Sequence, residues 1–279
     1  MVQAEWNEWV GKTTENGDVL TQTPVRLMLA TLDRGADEAA VRILPPLWHW
    51  LYFLPGERQS NIGSDGHPMR GGFLPPVMLP RRMWAGGRLQ FLHPLHMGSE
   101  VRRLSRIAGI ESKDGRSGSL VFVKVQHEIL DAQGVAIREE QDIVYRSEPV
   151  AEAPAAPAKQ APTDEQFSRQ VVPNPVLLMR YSALTFNGHR IHYDRPYSVE
   201  QEGYPGLVVH GPFIATLLLE HLKQSLPDAE VQAFEFKAVS PLFDTAPFTV
   251  AGKVEGRVAT LWARGPQGQL AMMANVQLA

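Results

Sequence analysis

The sequence predicts an α+β fold built from two tandem units, each an antiparallel sheet wrapped around a helix. Three observations predict it: an Ala- and Pro-rich break near the middle of the chain, the same closing pattern on both sides of that break, and one long helix with an apolar stripe. A pattern that occurs twice in one chain is typical of a duplicated unit. We expect the sheets of the two units to join edge to edge.

The break covers residues 147–166, SEPVAEAPAAPAKQAPTDEQ. Because it contains few large apolar side chains, it has nothing with which to build a core, and its composition is typical of a semi-extended linker. It separates a first unit, residues 1–146, from a second unit, residues 167–279.

Both units close with the same pattern. In each, a Pro-Leu pair (residues 94–95 and 241–242) precedes a strand-like segment, and two more strand-like segments follow. Apolar and polar residues alternate through VFVKVQ, residues 121–126, as in a half-buried strand. Residues 131–134 and 265–268 have the composition of tight hairpin turns. The closing strands therefore predict an antiparallel meander in each unit.

The long helix is predicted in the second unit, over GPFIATLLLEHLKQSL, residues 211–226. Four large apolar residues recur there at helical spacing: Ile214, Leu217, Leu218 and Leu222. Pro212 suits the first helical position, where its missing N–H would have no partner in any case. Gly211 is then the predicted N-cap.

Composition excludes several classes of protein. The 279 residues include no cysteine, which excludes disulfides, thiolate metal sites and a cysteine nucleophile. A net charge of −3 gives no reason to expect a nucleic-acid or membrane partner. The first residues, MVQAEWNEWVGKT, lack the apolar core of a signal peptide, and no stretch approaches the ~20 apolar residues that cross a bilayer. We expect a cytoplasmic protein.

One short segment concentrates titratable side chains: LTFNGHRIHYDRPY, residues 184–197, called here the polar segment. It is either a solvated turn or the place where chemistry occurs. Its histidines, His189 and His192, lie three residues apart, but no acidic cluster at ligand spacing completes a metal site. No phosphate-binding or dinucleotide-binding motif is present, so we expect neither a metal nor a redox cofactor.

YSALTFNGHRIHYD (181–194) followed by GLVVHGPF (206–213) resembles the MaoC-like (R)-specific enoyl-thioester hydratases. Within that group the chain resembles the type 2 hydroxyacyl-thioester dehydratase and mesaconyl/itaconyl-CoA hydratase branch. In the first unit, LPPLWHWLYF (44–53) and GGFLPPVMLPRRMWAGG (71–87) resemble that branch's N-terminal domain. The resemblance implies a double hot-dog fold, a catalytic second unit, and a first unit that is a degenerate copy shaping the acyl pocket.

The resemblance also implies roles for single residues. The wider family carries an aspartate and, five residues later, a histidine; here these positions hold Asn187 and His192. Since an amide is no general base, His192 is the predicted base, with a pKa suited to taking and returning a proton. Asn187 is expected to hold the water through its carbonyl oxygen, and His189 to be a second proton-transfer group. Gly211 would direct a backbone N–H at the thioester oxygen.

For several other polar residues, a structural interpretation competes with a functional one. Asp194 matches an acidic residue of the family and is either catalytic or a structural tie for its loop. His210 is expected to be a packed or capping residue. The aromatic run 48–53 is expected in the core or between the units, with His49 buried and hydrogen-bonded.

Three arginines of the first unit lie near glycines: Arg70, Arg81 and Arg82. They are either surface charge or an anion-binding set, because a guanidinium matches a carboxylate with two hydrogen bonds. With the branch resemblance, they favour a coenzyme A ester of a small unsaturated dicarboxylate, such as itaconyl- or mesaconyl-CoA. Coenzyme A is then part of the substrate. Assembly as a homodimer is left open.

Three other functions remain as alternatives. The first is a fatty-acid dehydratase acting on 3-hydroxyacyl groups carried by an acyl-carrier protein. The second is a hot-dog thioesterase, against which Asn187 argues, since that reaction usually needs a carboxylate to activate water. The third is a non-catalytic acyl-CoA-binding protein.

Overall fold

The computed structural model describes residues 6–35, 41–115, 118–147 and 158–279. Within these ranges the first unit contributes five strands: β1 (Thr13–Val19), β2 (Arg81–Phe91), β3 (Glu100–Gly115), β4 (Gly118–Asp131) and β5 (Gly134–Arg146). The second unit contributes five more: β6 (Phe167–Val171), β7 (Val231–Ala238), β8 (Phe248–Glu255), β9 (Val258–Arg264) and β10 (Leu270–Leu278). The α-helices of these ranges are α1 (Gln22–Thr31), α2 (Pro175–Leu184) and α3 (Gly211–Ser225).

The ten strands form one antiparallel sheet in the order β1-β3-β4-β5-β2-β7-β10-β9-β8-β6. Read outward from the centre, both halves have the same order of equivalent strands, which is the arrangement expected of a duplicated unit. The halves meet where β2 pairs with β7. The predicted edge-to-edge joining of two antiparallel sheets is therefore confirmed.

Two glycines on β2 allow its neighbouring strands, β7 of the second unit and β5 of the first, to approach closely. A Cβ atom at Gly86 would lie 2.6 Å from the carbonyl oxygen of Phe236 on β7, and one at Gly87 would lie 2.9 Å from the carbonyl oxygen of Glu140 on β5. Both distances are shorter than real Cβ contacts, so a larger residue at either position would push strands apart.

Helix α3 is the long helix that the sequence predicts, with a corrected N-terminus. The N-cap is His210, and Gly211 is the first helical residue. Most of α3 is buried against the sheet of the second unit. Its buried residues include Phe213, Leu217, Leu218 and Leu222. The prediction of a sheet wrapped around a long helix is correct for this unit.

The first unit departs from that prediction. Among its described residues between α1 and β2, the helical segments are two short 3-10 turns, Trp48–Leu51 and Gln59–Asn61. The long helix therefore has no equivalent in the described part of this region. The rest of residues 54–80 forms an extended, irregular connection that reaches the second unit.

The aromatic run lies where the two units meet, as predicted. The ring of Trp50 is 4.9 Å from that of Trp84 on β2 and 6.2 Å from that of Phe236 on β7. His49 is 3 % exposed, and its Nε2 lies 3.0 Å from a carboxylate oxygen of Glu139. The aromatic side chains join the main hydrophobic core, which contains residues of both units.

The sequence analysis missed six elements of the described ranges: β1, α1, β2, β6, α2 and β7. Helix α2 carried a readable signal, because Asn174 is its N-cap and Pro175 follows at the first helical position. The Asn174 side chain accepts a hydrogen bond from the N–H of Leu177 at 3.0 Å. The predicted hairpin turns are present between β4 and β5 and between β9 and β10.

Part of the predicted linker contacts the second unit, while residues 148–157 lie outside the described residues. Ala161 is buried, and its N–H donates to the carbonyl of Gly268 at 2.9 Å. The carbonyl of Lys159 accepts from the N–H of Leu270 at 2.7 Å. Residues 159–161 therefore pack on the second unit, and the boundaries of the two units stay a prediction. None of the helices in the described ranges is long and apolar enough to cross a bilayer.

Candidate active site

The polar segment begins with a sharp turn at the end of α2. Phe186 adopts a left-handed backbone conformation with φ of 48°, which is rare for a bulky residue and strains the chain. The next residue, Asn187, donates its N–H to the carbonyl of Ser182 at 2.8 Å. The strained turn thus reverses the chain and directs Asn187 and His189 back past the end of α2.

His192 has the geometry of a neutral base. Its Nδ1 lies 2.7 Å from the carbonyl oxygen of Val208, so Nδ1 carries the proton and the Nε2 lone pair is available. Burial lowers the pKa of His192 to about 4, against the opposing effect of the Val208 carbonyl. At neutral pH the ring is therefore uncharged and ready to accept a proton.

His210 connects His192 to the start of α3. Its ring stacks on that of His192, with centroids 3.7 Å apart and planes at 18°. Its Nε2 lies 2.8 Å from Oγ of Ser182, and burial holds its pKa well below the usual value. His210 is packed at the helix N-cap, as expected, and it fixes the plane of the His192 ring.

Gly211 follows His210 and opens α3. The first N–H groups of a helix have no carbonyl partner inside it, and the helix dipole places partial positive charge there. A Cβ atom at Gly211 would lie 3.8 Å from the carbonyl oxygen of Trp84, an ordinary contact. The protein itself therefore has room for a side chain at Gly211, and the glycine leaves that room open beside the helix N-terminus.

The side-chain carbonyl oxygen of Asn187 has a partner inside the polar segment, which the prediction did not include. Its Oδ1 accepts the N–H of His189 at 3.0 Å, which closes a local turn. The carbonyl oxygen expected to hold the water is thus partly used inside the segment. Asn187 retains the donors of its Nδ2 and one lone pair for a ligand.

Asp194 is tied to its own loop. It accepts hydrogen bonds from Nε and Nη2 of Arg190 at 2.9 and 2.7 Å and from the N–H of Tyr197 at 3.2 Å. The Arg190 guanidinium holds the pKa of Asp194 below its usual value. These contacts support the structural interpretation of Asp194 and give no support to the catalytic one.

A loop of the first unit, residues 63–68 and called here the capping loop, docks on the polar segment. The N–H of Arg190 donates to the carbonyl of Asp65, and its Nη1 donates to the carbonyl of Ser64, both at 2.9 Å. Gly66 has φ of 88°, and a Cβ atom there would overlap the carbonyl oxygen of Gly188. The two backbones therefore touch, and the site is built from both units.

The capping loop adds two residues that the sequence analysis missed. Nδ1 of His67 lies 3.1 Å from a carboxylate oxygen of Asp65, and the His67 ring is 4.0 Å from that of His189. Burial, together with the neighbouring His67 and His192, lowers the pKa of His189 to about 2. The sequence signal was SDGHP, residues 64–68, where a histidine follows an aspartate by two positions in a glycine turn.

Asp65, His67 and His189 are also the described residues that come nearest to a metal site, with ligand atoms within 4.8 Å of one another. Two cations lie close to them, since the charges of Arg82 and Arg70 both add to the effect of burial in lowering the pKa of His67. Fixed positive charge disfavours a metal ion. We therefore interpret the three residues as a hydrogen-bonded group, and the expectation of no metal stays a prediction.

The structure separates the three predicted arginines. Arg70 donates to the backbone carbonyls of Val77 and Pro80, so its guanidinium holds its own loop. Arg81 donates to the carbonyl of Glu202 at 2.9 Å, and its side chain also pairs with the Glu202 carboxylate. Both of these arginines have structural partners.

Arg82, like Arg70, acts on the site through its charge. It lowers the pKa values of His67 and His189, for which burial is the main cause. It also acts on Tyr145, whose pKa is raised by burial and lowered in part by Arg82. Arg82 is the candidate to meet a ligand beside the histidines because its charge acts on both His67 and His189, and its side chain also hydrogen-bonds to Tyr145.

Two surface grooves lie away from this cluster. One of about 370 Å³ is lined by Asp18, Tyr52 and their neighbours in the first unit. The other, of about 420 Å³, lies between α1 and α2, with Phe213 and Leu217 of α3 in its lining. We assign the site by its chemistry and not by these grooves, because neither lining contains a residue of the polar segment.

The single sheet of two duplicated units, with a histidine cluster at the N-terminus of the long helix, defines a double hot-dog protein of the MaoC-like class. Solved structures agree on the fold. A MaoC-like dehydratase from Phytophthora capsici superposes with a TM-score of 0.69 at 13 % identity, over 99 % of this chain and 98 % of that one. A Mycobacterium tuberculosis protein described as a double hot-dog superposes with a TM-score of 0.58 at 12 % identity, over 96 % of each chain.

The chain belongs to the hydroxyacyl-thioester dehydratase type 2 family, whose model matches residues 47–244. A relative from Chloroflexus aurantiacus, mesaconyl-C(4)-CoA hydratase, is 49 % identical over 100 % of this chain and 99 % of its own length. The mitochondrial hydroxyacyl-thioester dehydratase type 2 of Schizosaccharomyces pombe is 29 % identical over 84 % of this chain and 87 % of its own length. The resemblance seen in the sequence is confirmed.

Proposed function

We propose that this protein is a hydro-lyase that reversibly adds water to an α,β-unsaturated acyl-CoA thioester. The observation that carries the proposal is the placement of His192. Its ring is fixed by the Val208 carbonyl and by stacking on His210, and its Nε2 is unprotonated. Gly211, the residue after His210, is the first residue of α3. A base and a helix N-terminus are thus held together in a family of hydratases and dehydratases.

The chemistry needs both of these parts. Nε2 of His192 takes a proton from water as the water oxygen attacks the β-carbon of the thioester. Negative charge then develops on the thioester oxygen. The N–H of Gly211 and the positive end of the α3 dipole stabilise that charge, as in other oxyanion sites.

The substrate we propose is a small unsaturated dicarboxylate linked to coenzyme A, with mesaconyl-C4-CoA first and itaconyl-CoA second. The relative at 49 % identity carries the name of that activity over its whole length. Arg82 supports the same substrate class, because it supplies a guanidinium next to the histidines for a carboxylate to meet. No redox cofactor enters this reaction.

The test follows the absorbance of the conjugated thioester. Purified protein is mixed with mesaconyl-C4-CoA, itaconyl-CoA, crotonyl-CoA and long-chain enoyl-CoA, and in parallel with enoyl groups on acyl-carrier protein. We expect fast loss of absorbance with a dicarboxylate thioester and slow loss with the others. Preference for long chains or for carrier-bound substrates would favour the fatty-acid dehydratase, and binding without turnover would leave only an acyl-CoA-binding protein.

A His192→Ala variant tests the assignment of the base. Loss of a general base typically costs on the order of 10²–10⁴ in rate, so we expect that decrease in kcat/KM with an unchanged melting temperature. His221→Ala is the control, because His221 lies on α3 away from the polar segment and packs on Phe167. A folded His192→Ala protein with near-normal turnover would contradict the assignment.

A further inference from the structure

Four histidine rings lie in a row across the site. Ring centroids are 4.0 Å apart from His67 to His189, 5.5 Å from His189 to His192, and 3.7 Å from His192 to His210. The row ends at Ser182 on the side of the second unit and at Asp65 on the side of the first. Only the His67 end carries a carboxylate partner.

The reaction needs a second proton-transfer group, and the polar segment does not contain a suitable one. Hydration consumes one proton at the α-carbon while another is removed from water. Asn187 has no proton to exchange, and Asp194 is held by Arg190 and by the N–H of Tyr197. His189 is buried between two other imidazoles, and although the charge of Asp65 favours its charged form, burial dominates and lowers the pKa of His189 to about 2.

We propose that His67, held by Asp65, is the acid that protonates the α-carbon while His192 accepts the proton of the attacking water. This inference rests on the proposed function and deepens it, since it makes the first unit a contributor to the chemistry. Asp65 accepts the Nδ1–H of His67 and the backbone N–H of the same residue, at 3.1 and 2.9 Å. That pair orients the ring and favours its charged form.

The proton count closes. The lone pair of water forms the C–O bond at the β-carbon, and His192 takes the released proton at Nε2. The π electrons of the double bond pass through the enolate and form the α C–H bond with the proton from Nε2 of charged His67. His192 then returns its proton to solvent and His67 regains one, so that nothing is oxidised or reduced and both groups are reset.

The charges around His67 define the pH dependence. Asp65 on its own loop favours the charged ring, whereas burial and the charges of Arg82 and Arg70 disfavour it. The ring of His189, on the polar segment, packs against the ring of His67. Because burial outweighs Asp65, the pKa of His67 lies below the ordinary value of a histidine. Activity should therefore be highest at mildly acidic pH, decrease as the pH rises and His67 loses its proton, and decrease at low pH as His192 gains one.

The experiment compares kcat/KM against pH for the wild type, Asp65→Asn and His67→Gln, using whichever enoyl-CoA the wild type turns over fastest. We expect a 10²–10⁴-fold decrease in kcat for His67→Gln, the usual contribution of a general acid, and loss of the alkaline limb of the profile. Asp65→Asn should move that limb to lower pH. The Asp65 carbonyl that binds the N–H of Arg190 is kept in this variant, so the capping loop should stay docked.

His93→Gln is the matched control, because His93 pairs with Asp131 at 3.0 Å in the same unit and away from the site. It should leave both limbs unchanged. A His67→Ala protein with added imidazole should regain part of its rate if the ring acts as an acid.

Two results would overturn the proposal. One is an unchanged pH profile in folded Asp65→Asn and His67→Gln, which would reduce His67 to a packing residue. The other is loss of wild-type activity on chelation with recovery on adding Zn²⁺, which would make the cluster a metal site. Failure of the wild type on every enoyl thioester would instead contradict the proposed function, and the two failures are thereby distinguishable.

Discussion

At the residue scale, the site depends on side chains that a hydrogen bond to another part of the protein holds in place. His192 is useful because Val208 fixes its tautomer, and Asn187 is turned by accepting the N–H of His189. The arginines follow the same rule. Arg70 and Arg81 are held by backbone carbonyls, whereas the Arg82 side chain hydrogen-bonds to Tyr145 beside the histidines.

Arg82→Met should separate substrates. A hydrogen bond to a charged group is worth about 1.5–3 kcal/mol, so kcat/KM for mesaconyl-C4-CoA or itaconyl-CoA should decrease roughly 10–200-fold. Crotonyl-CoA lacks the second carboxylate and should be almost unaffected. Arg70→Met and Arg81→Met are the controls and should lower thermal stability while treating all substrates alike. If Arg82→Met also treats them alike, Arg82 does not bind the second carboxylate.

At the element scale, two contacts between secondary-structure elements support the site. The capping loop and the polar segment touch through the backbones of Gly66 and Gly188. Behind them, β5 carries the buried Glu139, which binds the 3-10 turn through His49 and the indole N–H of Trp50, each at 3.0 Å. That turn packs against Trp84 on β2, the strand that begins with Arg81 and Arg82.

Gly66→Ala tests the docking of the capping loop. The added methyl group would collide with the Gly188 carbonyl, and the φ of 88° is unfavourable for alanine. We expect the loop to move, with a loss of about 1–3 kcal/mol of stability and a clear decrease in kcat. Gly71→Ala is the control: it also has φ of 90°, but its Cβ would make only an ordinary contact with Pro76. Equal effects of the two substitutions on kcat would argue against a role for loop docking.

Glu139 makes the fold sensitive to acid. Burial would raise its pKa, but the hydrogen bond and charge of His49 dominate and lower the pKa of Glu139 to about 2. Because this value lies below that of an unfolded glutamate, the stabilisation is present above about pH 5 and is lost as the pH falls towards 2. Urea denaturation at several pH values should show this slope. Glu139→Gln should flatten it and destabilise the protein by roughly 3–5 kcal/mol at neutral pH, as expected for breaking a buried pair.

At the scale of the whole molecule, the two units behave as one body. They share a sheet through β2 and β7, and one hydrophobic core contains residues from both. The active site is also shared, since the capping loop comes from the first unit and the polar segment from the second.

Calorimetry should therefore show one unfolding transition and not two. Gly86→Val should lower its temperature, because the side chain would press on the Phe236 carbonyl at the seam. Gly109→Val on β3 is the control, since a Cβ there would have no neighbour within 4 Å. Two separate transitions in the wild type would show that the units fold independently. Assembly as a homodimer stays a prediction that sedimentation would measure.

Much of this architecture was predictable from the sequence because its signals are local. The hairpins, the closing strands and α3 follow from alternation, glycine turns and helical spacing. The choice of His192 as the candidate base rests on a motif of a few residues and stays a prediction. The capping loop was not predictable in this way. Asp65 and His67 lie more than 120 positions before His189, and nothing in their local pattern indicates which side chain they meet. The lack of a long helix in the described residues between α1 and β2 was likewise not predictable, since residues 54–80 have no periodic pattern of apolar residues that indicates another element.

The matching strand order of the two units has a consequence for inheritance. In a pair of identical subunits, one gene specifies both halves, so every substitution appears twice and any damage to one catalytic centre damages the other. Joining the copies in one chain removes that constraint. One copy can then differ from the other: in the described residues the first unit has an irregular connection where the second has its long helix, and that connection contacts the candidate site of the second unit.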